Sequence, residues 1–138
     1  MDMTTAKATY LGDLRIECEH LQSGVKIVTD APVDNRGRGE AFSPTDLCAT
    51  SLAACMMTIM GIYAGERGID IRGAEIEITK KMETAPRRIA GVDIIFNMPA
   101  RKYSDKDKKA MEAAARTCPV YYSLNEGVVK NVKFIWRD

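Results

Sequence analysis

The sequence predicts an α+β fold, in which strands, a long helix, two further strands, a second helix and a last strand follow one another. Three observations predict this order. Apolar and polar residues alternate near both ends of the chain, an uncharged segment of helical length fills residues 47–65, and glycine or proline separates the segments. Strands packed on helices in this order favour antiparallel sheets.

The first third of the chain predicts two or three antiparallel strands. Residues 6–19 and 25–29 are rich in β-branched and alternating positions, and Gly12-Asp13 and Ser23-Gly24 lie where hairpin turns are expected. Residues 30–39 contain one proline, two glycines and two arginines, which is the composition of a loop.

A long helix is predicted from Pro44 to Arg67. Ser43 suits its N-cap, Pro44 suits its first position, and Gly68 marks its end. Such a helix is about 36 Å long. Apolar side chains occur on more than one of its faces, and one chain of this size has few elements to cover them. We therefore expect a homodimer in which the long helices of two copies pack centrally.

Two strands follow the long helix, and one ends the sequence. Residues 69–82 alternate apolar and acidic positions, and Pro86 leads into a second run with apolar residues on one face. Residues 128–136 alternate in the same way and contain the only tryptophan. All three are predicted to be strands.

A second helix is predicted between these strands. Ser104 has the spacing of a capping box, and the alanine-rich sequence after it favours a helix through Thr117. Pro119 either stops the chain there or opens a short helix over residues 120–125. In the latter case Cys118 is its N-cap.

Composition and charge exclude some classes of function. The chain has 138 residues, which suits one domain over residues 1–138, and its 20 basic and 19 acidic residues leave a formal charge of +1. This balance argues against binding to nucleic acid or to an anionic membrane surface.

No export signal is visible, so a cytoplasmic location is expected. Residues 47–65 have the length of a membrane span, but their modest hydrophobicity and their flanks favour a helix buried in protein.

Four cysteines, Cys18, Cys48, Cys55 and Cys118, lack the C-x-x-C spacing of zinc ribbons and thioredoxin motifs. Cys48 and Cys55 lie about 10.5 Å apart along one helix, too far for a disulfide. A partner for Cys55 is therefore Cys18, Cys118 or a cysteine of another chain. An N-cap position would favour the thiolate of Cys118, although free cysteines are often inert core side chains.

His20 is the only imidazole of the chain. Cys18, Glu19 and His20 are adjacent on a strand and point to opposite faces, so neither a metal site nor another cofactor is expected. An acyl transfer at Cys55 would need a general base. His20 is the only imidazole that could serve, so a base for this reaction would be hard to supply.

Two cysteine motifs resemble those of the OsmC/Ohr family, in its OsmC-like branch. Residues 39–47, followed by Cys55 within Ala-Ala-Cys-Met, resemble the helix that carries the first cysteine of that family. Residues 114–120, an alanine-rich helix end followed by Cys-Pro-Val, resemble its second motif, and Pro-Arg-Arg-Ile at residues 86–89 is typical of the branch. The resemblance covers nearly the whole chain.

The resemblance implies an intertwined homodimer with antiparallel sheets wrapped around two central helices. It also implies a thiol-dependent peroxidase that acts on organic hydroperoxides, alkyl or lipid. Cys55 would attack the peroxide and become a sulfenic acid, and Cys118 would then close a disulfide with it. A dithiol or a lipoyl-type reductant would reset the pair.

The sequence departs from the family at the residue after the helix-opening proline. Characterised members have a glutamate there that holds a catalytic arginine, whereas this chain has Thr45, followed by Asp46, which either substitutes for it or caps the helix. The OsmC branch matches its arginine to Arg36 or Arg38, and the Ohr branch to Arg15. Thr45 favours the alternative function, a non-catalytic module that binds an apolar small molecule.

Overall fold

The computed structural model describes residues 2–137 and has an α+β architecture, with two three-stranded sheets and three α-helices in the described chain. The elements are β1 (Ala6–Gly12), β2 (Arg15–His20), β3 (Lys26–Asp30), α1 (Pro44–Glu66), β4 (Glu75–Glu83), β5 (Arg88–Asn97), α2 (Asp105–Ala115), α3 (Pro119–Ser123) and β6 (Val129–Ile135). The predicted order of elements is confirmed. The chain divides into two compact units, with the division after Leu47.

The first unit contains an antiparallel sheet in the order β1-β2-β3. Gly12, with a φ of 88°, begins the turn between β1 and β2, and Gly24, with a φ of 76°, lies in the turn between β2 and β3. Both turns fall where the sequence predicts them. Both need a backbone conformation that glycine adopts without strain.

The loop after β3 is more ordered than its composition predicts. It forms a 3-10 turn over Val33–Asn35. Gly37 packs so closely on the backbone of Ala31 that a Cβ atom there would lie 1.7 Å from the Ala31 oxygen. Only glycine fits this close approach, so the loop is folded back on its own beginning.

Helix α1 begins with a reciprocal cap. The Ser43 hydroxyl accepts a hydrogen bond from the Asp46 backbone N–H at 3.0 Å, and the Asp46 carboxylate accepts one from the Ser43 N–H at 3.0 Å. This confirms the predicted N-cap and gives Asp46 a capping role. The helix ends at Glu66, one residue earlier than predicted, before Gly68 in the left-handed region.

The second unit contains a mixed sheet in the order β4-β5-β6. Strand β4 is antiparallel to β5, but β6 is parallel to it. The prediction of antiparallel sheets is therefore wrong for β6. The reason is the long crossover through α2 and α3, which returns the chain to the end of the sheet where β5 begins.

Strand β4 also begins later than predicted, at Glu75 instead of Ile69. The Asp70 carboxylate accepts a hydrogen bond from the Arg72 backbone N–H at 2.9 Å, and Gly73 has a φ of 94°. These residues form a turn. The sequence predicts a strand there because Ile69 and Ile71 alternate with polar residues.

The core of the second unit lies between β5 and the helices. Val92, Ile94 and Phe96 share the buried face of β5 and are 0% exposed. Phe96 stacks on Phe134 of β6, with ring centroids 4.8 Å apart. The helices contribute small and flexible side chains to this core: Ala49, Leu52, Ala53, Met56, Met60, Ala64, Met111 and Ala115.

Helices α2 and α3 form the crossover between β5 and β6. The Ser104 hydroxyl caps α2 by accepting from the Asp107 backbone N–H at 3.0 Å, as predicted. Helix α2 ends at Ala115, two residues earlier than expected. The short helix after Cys118 is confirmed, with Pro119 as its first residue and Ser123 as its last.

Helix α1 keeps an exposed apolar surface within the described chain. It is long and apolar enough to cross a membrane by length and composition, and 33% of its most apolar window is buried. Its exposed residues include a stripe of uncharged side chains at helical spacing, Ser51, Ala54, Thr58, Ile62 and Gly65. We call this set the α1 stripe.

Candidate active site

The two cysteines of the predicted motifs lie side by side in the second unit. Cys55 is in the middle of α1 and is half-buried, whereas Cys118 is the N-cap of α3 and is 0% exposed. The two thiol groups are near enough for Cys55 to raise the pKa of Cys118. Of the three possible partners for Cys55, the structure thus provides Cys118, which is 63 positions later in the sequence.

The environment of Cys118 determines its protonation. Burial raises the pKa of the Cys118 thiol, and the neighbouring Cys55 raises it further. Backbone N–H groups of Tyr121 and Val120 act in the opposite direction, and the Tyr121 N–H donates to the sulfur at 3.3 Å. The N-cap prediction is confirmed, and these amide groups favour the thiolate as expected, but they do not offset the burial of Cys118.

The pair is chemically asymmetric as a result. Cys118 is a buried, protonated thiol that can donate its S–H to Cys55. Cys55 is half-buried and is therefore the more exposed of the two residues. This arrangement can place a second thiol against any oxidised form of Cys55.

A second polar cluster lies in the first unit, around Arg15. Its Nε donates to Asp30 Oδ1 at 2.7 Å and its Nη2 to Asp30 Oδ2 at 2.8 Å. Nη2 also donates to Glu40 Oε1 at 3.1 Å, and the Glu40 backbone N–H donates to Asp30 at 3.1 Å. The Asp30 side chain is 0% exposed, and the Arg15 guanidinium holds the pKa of that carboxyl below its usual range.

Asp30 was not among the residues that sequence reasoning selected. Arg15 and Asp30 are directly opposite on β2 and β3, so the register of this hairpin is the signal that places them together. The number of charged residues alone does not identify Asp30 as the partner of Arg15, because the chain has many other acidic residues.

The other predicted polar residues have different surroundings. Arg36 is exposed in the left-handed region, with a φ of 66°, just after the 3-10 turn. The Arg38 guanidinium donates to the exposed Asp13 carboxylate at 2.6 Å. Asp46 caps α1 together with Ser43. Arg15 is therefore the one of the three arginines that is held by a buried carboxylate.

The two remaining cysteines are half-buried free thiols. Cys18 lies on β2 opposite Ala8 of β1 and Ile27 of β3. Cys48 lies in the first turns of α1. Their positions give neither thiol a described sulfur partner in this chain.

Comparisons with known proteins agree with this geometry. A family model described as OsmC-like protein matches residues 37–133. A crystal structure from Psychrobacter arcticus 273-4, provisionally described as an osmotic stress induced and detoxification response protein, is 50% identical, with a TM-score of 0.94 and 98% of each chain covered. A search of curated protein sequences gives no match.

More distant structures share the fold. An organic hydroperoxide resistance protein OsmC from Legionella pneumophila is 19% identical, with a TM-score of 0.73, covering 97% of this chain and 98% of its own. An OsmC like protein from Mycoplasma pneumoniae is 18% identical, with a TM-score of 0.77 and 100% of both chains covered. The similarity thus extends over the whole length of these proteins.

Proposed function

Because the chain belongs to the OsmC-like protein family, we propose that it is a thiol-dependent peroxidase that reduces organic hydroperoxides, alkyl or lipid. The proximity of the Cys55 and Cys118 thiols is the observation that carries this proposal. Proteins of the same fold from Legionella pneumophila and Elizabethkingia anophelis are named organic hydroperoxide resistance proteins, which supports it.

Cys55 is the proposed nucleophile. Its thiolate attacks the distal oxygen of the hydroperoxide, the O–O bond breaks, and the leaving alkoxide takes up a proton to become an alcohol. Cys55 is left as a sulfenic acid. The half-buried Cys55 suits this step better than the fully buried Cys118.

Cys118 is the proposed resolving thiol. After losing its proton, it attacks the sulfenic sulfur of Cys55, the S–O bond breaks, and the hydroxyl group leaves as water. The N–H groups of Tyr121 and Val120 stabilise the Cys118 thiolate while it forms. A dithiol or lipoyl-type reductant then reduces the disulfide by thiol exchange and completes the cycle.

Intact mass tests the proposal most directly. One equivalent of cumene hydroperoxide should remove two hydrogens from each chain, because a disulfide forms and water leaves. In Cys118→Ser the same treatment should add one oxygen instead, because the sulfenic acid has no resolving thiol. An unchanged mass in the native chain would contradict the proposal.

The pH dependence of disulfide closure follows from Cys118. Its raised pKa keeps it protonated at neutral pH, so the fraction of attacking thiolate increases as the pH rises towards that pKa. Closure, followed by mass after acid quenching, should therefore accelerate up to about tenfold per pH unit below the pKa. A closure rate independent of pH would show that loss of this proton does not limit the step.

Arg15 is the proposed cation of the mechanism, in preference to Arg36. Its support is local, since Asp30 and Glu40 hold the Arg15 guanidinium while Arg36 is exposed. Asp46 remains in its capping role in this scheme. Arg15→Ala should lower kcat/KM for cumene hydroperoxide by about 10²–10³-fold, the usual cost of removing a charge-stabilising donor.

Arg36→Ala is the matched control for that substitution. It should leave kcat/KM within about twofold of the native value, since an exposed loop side chain rarely contributes more. A large loss in Arg36→Ala with a small one in Arg15→Ala would transfer the role to Arg36, as the resemblance to the OsmC branch first indicated.

We also propose that the protein is an intertwined homodimer in the cytoplasm, where the thiols would return to their reduced state. The α1 stripe supports the dimer, because small uncharged side chains let a second helix approach closely. Ile62 is 54% exposed in the single chain. Burial of that surface would explain why the exposed α1 stripe contains no charged residue.

Ile62→Glu should convert the dimer to monomers. The charge costs little on an exposed helix of one chain but would be desolvated between two helices. Sedimentation equilibrium should give twice the 15.3 kDa of one chain for the native protein and one chain for the variant. Lys109→Glu, an exposed substitution on α2, should remain dimeric. A native protein that sediments as a single chain would contradict the dimer.

A second candidate function is a non-catalytic module that binds an apolar small molecule. Thr45, at the position of the family's glutamate, is the observation that favours it. Under this alternative, hydroperoxide leaves the mass unchanged while an apolar fluorescent probe still binds.

A further inference from the structure

We infer that oxidation of the Cys55–Cys118 pair releases helix α3, so that the order of this helix depends on the redox state of the site. The inference rests on the proposed function, because it needs the disulfide that the hydroperoxide reaction forms. It adds a regulatory device that the chemistry itself does not require.

The sulfur of Cys118 has two structural roles in the reduced protein. It neighbours the Cys55 thiol, and it caps α3 by accepting a hydrogen bond from the Tyr121 backbone N–H at 3.3 Å. One atom therefore connects the reactive pair to the first turn of a helix. Any chemistry that moves this atom acts on both contacts.

Helix α3 has little stability of its own. It is five residues long, and its backbone hydrogen bonds include Tyr122 N–H to Cys118 O at 3.3 Å and Leu124 N–H to Val120 O at 3.1 Å. So short a helix cannot recover the cost of nucleation from its own hydrogen bonds. The N-cap contact is thus a large share of what holds it.

Disulfide formation draws the Cys118 sulfur towards Cys55. The hydroperoxide is the oxidant: it converts Cys55 to a sulfenic acid, and Cys118 then displaces water from that sulfur. Cys55 sits within the 23 residues of α1, whereas Cys118, although buried in the core, lies at the junction between α2 and the five-residue α3. Cys118 is therefore the partner that moves. The Tyr121 N–H then loses its acceptor.

The released segment carries two aromatic side chains. Tyr121 is half-buried, with the Lys130 ammonium 5.1 Å from its ring centre, and Tyr122 is 71% exposed beside it. Freeing α3 exposes more of Tyr121. The oxidised protein therefore presents an aromatic surface that the reduced protein keeps partly covered.

Amide hydrogen exchange of Tyr121 tests the inference, with two substitutions of Cys118 as references. Cys118→Ser keeps an N-cap acceptor but cannot form the disulfide, and Cys118→Ala has neither. In the reduced state, Cys118→Ala should exchange about 5-fold faster than the native protein, as expected for loss of a cap. The native protein should show a similar acceleration after one equivalent of cumene hydroperoxide, and Cys118→Ser should show none.

Intact mass of the same samples separates the two proposals. A native chain that has lost two hydrogens while its Tyr121 exchange is unchanged would overturn this inference and leave the peroxidase standing. A native chain with no change in mass would overturn both. The Lys108 amide, which donates to Ser104 O in α2, should be equally protected in every sample and reports any general unfolding.

Discussion

Cys55→Ser should reduce hydroperoxide turnover at least about 10³-fold, the largest functional effect expected of any single substitution in this chain. A serine hydroxyl is a much weaker nucleophile than a cysteine thiolate, because it stays protonated at neutral pH. The measurement is consumption of cumene hydroperoxide in the presence of a dithiol. The variant should keep the native fold, because one atom is exchanged at a half-buried site.

Cys118→Ser and Cys48→Ser complete this experiment. Cys118→Ser should consume about one equivalent of hydroperoxide and then stop, because the sulfenic acid is not resolved. Cys48→Ser is the control, since Cys48 takes no part in the proposed cycle, and it should turn over at the native rate. Full turnover in Cys55→Ser or in Cys118→Ser would refute the assignment of this pair.

Phe96→Ala should produce the largest loss of stability, about 3–5 kcal/mol in the free energy of unfolding. Phe96 is 0% exposed near the end of β5 and stacks on Phe134, with ring centroids 4.8 Å apart. Its removal leaves a cavity between the sheet and the helices that carry both thiols. Denaturation in urea, followed by circular dichroism, measures the loss.

Two further variants serve as controls for the stability measurement on Phe96→Ala. Val129→Thr, on β6, changes a side chain that is 57% exposed and should alter stability by less than about 0.5 kcal/mol. Phe96→Leu preserves most of the volume and should cost less than Phe96→Ala, which matters if the alanine variant does not fold. A loss below about 1 kcal/mol in Phe96→Ala would show that the core tolerates the cavity.

Features that depend on neighbouring residues in the sequence were predictable. Ser43 and Ser104 cap α1 and α2 as expected. Each serine hydroxyl accepts a hydrogen bond from a backbone N–H only three residues later, so the sequence alone shows the pair. The turns at Gly12 and Gly24 follow from residue type in the same way. Local chemistry decides these positions.

Features that depend on distant contacts were not predictable. The direction of β6 relative to β5 follows from the path of the crossover through α2 and α3 and not from the alternation within β6. The start of β4 was misplaced because Ile69 and Ile71 alternate as in a strand, although Gly73 turns the chain.

In the candidate site, too, some residues were predictable from the sequence and others were not. The motifs that resemble the family identified Cys55 and Cys118, and the structure places the two thiols in contact. The partner of Arg15 is not evident from the sequence because Asp30 faces it only in the observed register, in which residues 21–25 connect the two strands of the hairpin. A shift of one residue in that turn would move Asp30 to the other face of the sheet.

The parallel pairing of β5 and β6 has a consequence for the order in which the molecule assembles. Gly91 pairs with Val129, so this contact encloses the whole crossover that contains Cys118. Contacts between residues so distant in sequence form late, because a long loop must close first. Cys55 is therefore synthesised and exposed before Cys118 is held beside it, and the pairing of β6 with β5 completes the arrangement of the two cysteines.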